Sequence, residues 1–106
     1  RVCFVDIDRA ASEALVDRIA GRDLPGPKFI ECDLRDIDAL RAAIRSVIGS
    51  LGPITVLVNN AARDDRHAID EVTPAYWRGR MAVNLDHQFF AAQAVAPGGI
   101  VTMMGS

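Results

Sequence analysis

Short apolar runs alternate with longer amphipathic ones along this chain, and that alternation constrains the fold more than any other feature. Val2 to Asp6, Lys28 to Cys32 and Ile54 to Val58 are runs of strand length, and a last one starts after Gly98-Gly99. After the first run, Asp8 is placed to cap a helix whose Ala11, Leu15 and Ile19 fall on one face, with Gly21 to stop it. After the second, Asp36 is the expected N-cap of a helix carrying an apolar stripe of Ile37, Leu40, Ile44, Val47, Ile48 and Leu51, ended by Gly52-Pro53. A polar loop from Asn59 to Glu71 follows the third run. Thr73-Pro74 then opens a helical region reaching Val95, a cap with proline at the first helical position. The third run is almost wholly apolar, so it is expected to be covered on both faces. Strand–helix alternation with short links predicts an α/β fold, a doubly wound parallel sheet with helices on both faces. Residues 1–106 contain no linker, repeat or low-complexity tract and read as part of one domain.

Composition narrows the function classes. Half of the 106 residues are hydrophobic, the formal net charge is -2, and there is no basic run to form a nucleic-acid footprint. No apolar stretch has the length of a membrane span and no signal-peptide pattern opens the chain, so the expectation is a cytoplasmic protein without a membrane partner. Cys3 and Cys32 lie inside apolar runs and are expected to be buried free thiols. His67 and His87 are too isolated to suggest a metal site. The chain starts in mid-strand at Arg1 and stops at Ser106 where a loop would begin, which predicts the central segment of a larger domain. Between Ala94 and Ile100 the helix has little room to return to the sheet, so residues are expected to be missing near Pro97 and Gly98.

In doubly wound sheets, ligands bind at the carboxyl ends of the strands. Asp6 stands there after the first run, where a carboxylate can accept from both hydroxyls of an adenine ribose and repel a 2'-phosphate. It can equally be a capping or solvated acid. Asp33, in Cys32-Asp-Leu34, can meet an adenine amino group or be an ordinary turn acid. Asn59-Asn60-Ala61-Ala62 places two carboxamides after an apolar strand, where burial demands partners, and small residues that admit a flat group. A structural tie between strand ends is the other reading. Asn84 sits between Val83 and Leu85 inside the last helical region, which predicts a partner or a local distortion. Ser106 follows Gly105 at the end of the last strand.

Together these positions resemble the short-chain dehydrogenase/reductase family. Val56-Leu-Val-Asn-Asn-Ala-Ala62 is similar to the family's NNAG strand signature, with Ala62 where glycine is commoner. Met81-Ala-Val-Asn-Leu85 resembles the helix segment bearing the family asparagine, and Gly98 to Ser106 resembles the strand that delivers the catalytic serine. Cys32-Asp-Leu34 and Asp6 match the adenine-side acids. The resemblance runs along the whole chain and implies a Rossmann-like fold binding NAD. It implies cofactor contacts from Asp6, Ile7, Asp33, Leu34, Asn60 and Ala61, with Ser106 and Asn84 in the catalytic set. Asn84 would hold a water in a proton relay, and Ser106 would bond the substrate oxygen. The family's glycine-rich loop would precede Arg1 and its Tyr-x-x-x-Lys pair would follow Ser106. The segment alone is therefore expected to be inactive. Tyr76, beside Trp77, reads as a packing residue.

The polar stretch Arg63-Asp-Asp-Arg-His67, with Asp86-His-Gln-Phe-Phe90 and Gln93 to Pro97, resembles members that oxidise sugars at the anomeric carbon. A small alcohol, an aldose in particular, is thus the implied substrate. The family resemblance and the apolar last helix, with Val83, Phe89, Phe90, Ala92 and Val95 on several faces, together imply a homotetramer. Two rival readings remain open: a non-catalytic dinucleotide-binding sensor or scaffold, and a Rossmann-like methyltransferase, which has no need of Asn84 or the double asparagine.

Overall fold

The computed structural model describes residues 1–63, 67–96 and 100–103, the last four by their backbone alone. The chain divides into two compact units, Arg1–Gly52 and Pro53–Ser106.

In the first unit, β1 (Cys3–Asp6) and β2 (Lys28–Glu31) pair in parallel, with Phe4 opposite Phe29 and Asp6 opposite Glu31. Their connection is α1 (Arg9–Ala20), and α2 (Ile37–Leu51) follows β2. The caps are those the sequence predicts. Asp8 accepts from the Ala11 amide and Asp36 from the Ala39 amide, both at 3.0 Å, satisfying donors that a helix start leaves without partners. Gly52 adopts φ 88° and its amide closes α2 on the Ile48 carbonyl, a left-handed position that glycine reaches without a Cβ penalty.

The core of this unit is Cys32 with Leu40, Ala43, Ile44 and Val47 of α2. Ala43 joins the expected stripe, while Ile48 is 37% exposed at its margin. On α1, Leu15 and Ile19 are half-buried as expected, but Ala11 is exposed and Ser12 is buried instead. The reason is angular: Ser12, Leu15, Val16 and Ile19 follow the i, i+3, i+4, i+7 spacing of a single helix face, and Ala11 lies off it. Cys32 is buried and Cys3 half-buried, and neither is in a disulfide. Burial pushes both thiols up, with the Asp36 and Asp33 carboxylates adding to the effect at Cys32. Both shifts disfavour the thiolate, the reactive form of a cysteine.

In the second unit, β3 (Val56–Asn59) pairs in parallel with β4 (Ile100–Met103). A 3-10 turn (Ile69–Glu71) precedes α3 (Pro74–Met81), which is capped by the Thr73 hydroxyl accepting from the Tyr76 amide at 3.1 Å. A π-helical turn (Ala82–Asp86) joins α3 to α4 (His87–Val95). His87, Ala91 and Val95 are the buried residues of α4, one face at i, i+4 and i+8, and α4 packs on β3 and β4. The expectation that the third strand is covered on both faces does not hold within this unit. Val56 and Val58 are 58% and 53% exposed, because strand side chains alternate and no described element of the unit covers that side. The expected gap near Pro97 and Gly98 lies outside the described residues, as does Ser106. Among the described residues, no helix is long and apolar enough to cross a membrane and no cluster could hold a metal ion.

Candidate cofactor and active site

The strand pair β1–β2 brings two acids to the same carboxyl edge. Asp6 ends β1, and its carbonyl accepts from the Cys32 amide at 3.0 Å, next to Asp33. The exposed Asp6 carboxylate accepts the Asp8 amide on Oδ1 at 2.8 Å. A carboxylate offers about four acceptor sites, so capacity for a pair of hydroxyls remains. Ile7 beside it is 60% exposed, and Leu34 beside Asp33 is half-exposed.

Asp33 is more committed. Arg35 grips it through both oxygens, with Nη2 to Oδ2 at 2.6 Å and Nε to Oδ1 at 3.0 Å, and the Arg35 amide adds a bond at 3.0 Å. These bonds hold its carboxyl down at about 2, against about 3.9 for a free aspartate. The folded value is depressed, so the stabilisation from this pair is complete above about pH 4 and is lost as pH falls through about 2. The side chains are 54% and 36% exposed, so solvent screening keeps that contribution small. A carboxyl-carbon NMR titration is expected to show Asp33 with a midpoint near 2, rising towards the ordinary aspartate value in Arg35→Gln but staying below it, because the residue 35 amide still donates. An unchanged midpoint in that variant would assign the depression to something other than the Arg35 guanidinium.

In the second unit, Asn84 has both features the sequence suggested, a partner and a distortion. It lies in the π-helical turn, and its carboxamide grips the backbone of Arg63: the Arg63 amide donates to Oδ1 at 2.7 Å, and Nδ2 donates to the Arg63 carbonyl at 3.0 Å. Gln88 Nε2 also donates to the Asn84 carbonyl at 2.9 Å. Asn59 is buried at the end of β3, while Asn60, Ala61 and Ala62 are exposed on the loop beyond it.

Two further residues hold this loop and were not visible in the sequence. His87, only 2% exposed, places Nε2 3.2 Å from the Ala61 carbonyl oxygen. A carbonyl only accepts, so that nitrogen carries the proton. Arg80 donates to the Arg63 carbonyl at 3.2 Å and to the Tyr76 hydroxyl at 2.9 Å, and the Tyr76 ring lies tilted against that of His67 at 4.3 Å between centroids. Tyr76 is thus a packing residue, as expected, but it also braces Arg80. His87 lies in the Asp86–Phe90 stretch that the sequence singles out, but the signal for either residue as a brace of this loop is only its place on the same helical region as Asn84, about one turn away on either side.

A small-residue loop after a parallel strand, pinned from a helix by an asparagine in a π-helical turn, is a specific combination. The family model for short chain dehydrogenases matches residues 1–105. The chain belongs to the short-chain dehydrogenase family. Within it, the chain is 50% identical over 97 residues to a protein described as a probable galactose dehydrogenase of Rhizobium meliloti, and 46% identical over 97 residues to a D-xylose 1-dehydrogenase of Caulobacter vibrioides. Each match takes in 92% of this chain but only 38% and 37% of the relative. The segment therefore spans less than two fifths of those dehydrogenases.

Solved structures share the fold. A metagenomic short-chain oxidoreductase in complex with NADP matches with a TM-score of 0.88 at 27% identity, covering 97% of this chain and 49% of that one. A blue fluorescent protein from a metagenomic library, in complex with NADPH, matches at 0.85 and 27%, covering 98% and 44%. The fold is the Rossmann-like α/β arrangement of parallel strands and intervening helices, represented here by part of it.

Proposed function

We propose that the whole protein containing this segment is an NAD-dependent dehydrogenase acting on a carbinol carbon of a small polar substrate, an aldose sugar. Two relatives at 50% and 46% identity that are themselves described as aldose dehydrogenases carry this reading. The bound nicotinamide supplies the hydride acceptor, and the chain supplies contacts around it. Asp6 accepts from the adenine ribose hydroxyls, with Ile7 beside it, while Asp33 and Leu34 meet the adenine and Asn60 and Ala61 lie along the cofactor. Asn84 positions a proton-relay water, and Ser106, outside the described residues, bonds the substrate oxygen. The two neighbours described above with NADP(H) weigh towards the phosphorylated cofactor; the Asp6 carboxylate, which opposes a 2'-phosphate, supports NAD.

Residues 1–106 form part of one nucleotide-binding domain in this reading, in a cytoplasmic protein that assembles as a homotetramer. The exposed Trp77, Leu85 and Phe89, along the helical region from α3 to α4, support self-association. The test is reduction of NAD by the whole protein with galactose, xylose, polyols and simple secondary alcohols, the 106-residue segment being assayed alongside. Aldoses are expected to turn over at about 1–10³ s⁻¹, and the segment to be silent. Turnover confined to non-sugar alcohols would overturn the substrate assignment, and hydride transfer by the segment would overturn its dependence on the rest of the protein.

A further inference from the structure

Arg9, the first residue of α1, follows closely on Asp6, and its guanidinium is held by two carboxylates. Nε donates to Glu31 Oε2 at 2.7 Å and Nη1 donates to Glu13 Oε1 at 3.2 Å. Glu31 is the register partner of Asp6 on the neighbouring strand, and Glu13 lies one turn along α1. An arginine just beyond a ribose-binding acid is the residue type that a 2'-phosphate recruits, since its planar fork matches phosphate oxygens. Here that fork is occupied.

We propose that Glu31, assisted by Glu13, is a specificity-determining residue that withholds Arg9 from a 2'-phosphate and so reinforces selection of NAD over NADP. The proposal rests on the reading of Asp6 as the ribose acceptor. Two carboxylates around one guanidinium leave a local excess of negative charge beside Asp6. NADP must therefore break both contacts to gain a cation, or meet that charge without one. Side-chain exposures of 61% for Arg9, 57% for Glu13 and 44% for Glu31 make the pairs salt-screened, so the expected effect is a modest factor.

The test is calorimetric binding of NAD and of NADP to the whole protein without sugar, for the parent, Glu31→Gln and Glu31→Gln/Glu13→Gln, each repeated with Arg9→Ala. Freeing Arg9 is expected to tighten NADP binding by about three- to fivefold at low salt, less at high salt, with NAD binding unchanged within about twofold. The gain is expected to vanish in the Arg9→Ala series. A gain that survives Arg9→Ala would show that charge removal alone is responsible, and no gain at all would show that Arg9 cannot reach the phosphate; either result overturns the proposal. A parent protein that already prefers NADP would sink the reading of Asp6 and this proposal with it, and it is distinguishable because it appears before any substitution. The substituted side chains are exposed, so loss of folding is not expected, and melting curves check this.

Discussion

Asn84→Ala is expected to lower kcat/KM of the whole protein by about a hundredfold, the scale of an active-site misplacement near 1 Å. The carboxamide turns an acceptor and a donor to the same residue, the Arg63 amide and carbonyl. Alanine removes both partners, and each stranded polar group costs about 1–3 kcal/mol when water cannot replace the bond. This region is half-exposed, so the stability loss falls at the low end, and activity is the more sensitive readout. Asn84→Asp is the discriminating variant. It keeps the acceptor for the Arg63 amide but sets a carboxylate oxygen against the Arg63 carbonyl, replacing attraction with repulsion. Its kcat/KM is expected to fall as far as that of the alanine variant. Near-parental activity in Asn84→Asp would show that the two-point grip on Arg63 is dispensable.

The largest expected loss of stability comes from Leu40→Ala in α2, about 2–5 kcal/mol in denaturant unfolding. Leu40 is 3% exposed and lies with Cys32, Ala43, Ile44 and Val47 in the core of the first unit. Truncation leaves a cavity that backbone fixed by the Asp36 cap and the Gly52 terminus cannot readily close. Against a total stability of about 5–15 kcal/mol, that loss is severe. Ile48→Ala on the same helix is the control, because Ile48 is 37% exposed and its truncation is expected to cost under about 1 kcal/mol. Equal losses at the two positions would mean that Ile48 is covered in the whole protein.

The contrast between Leu40 and Ile48 also marks a limit of pattern reading. Both fit the apolar stripe of α2 in the sequence, and only packing separates a core position from a marginal one. Ala11 and Ser12 teach the same lesson on α1. There the pattern points the small apolar residue inward, yet the helix places its hydroxyl-bearing neighbour on the packed side. An error of one residue, about 100° around the helix, is enough to exchange them.

Asn84 shows both halves of the division. Its polar side chain between Val83 and Leu85 announced a partner or a distortion, and the motif around it pointed to the family, because these features reside in local chemistry. The sequence likewise determined the Asp8, Asp36 and Thr73 caps, the Gly52 terminus and the parallel α/β class, all set within a few residues by backbone hydrogen bonding and side-chain period. What Asn84 bonds to was decided only by the tertiary structure, which brings Arg63, 21 residues away, onto the π-helical turn. His87 on the Ala61 carbonyl and Arg9 on Glu31 span 26 and 22 residues in the same way. Such pairings depend on how strands and helices return to one another, and a histidine or arginine carries no local mark of the distant carbonyl or carboxylate it will meet.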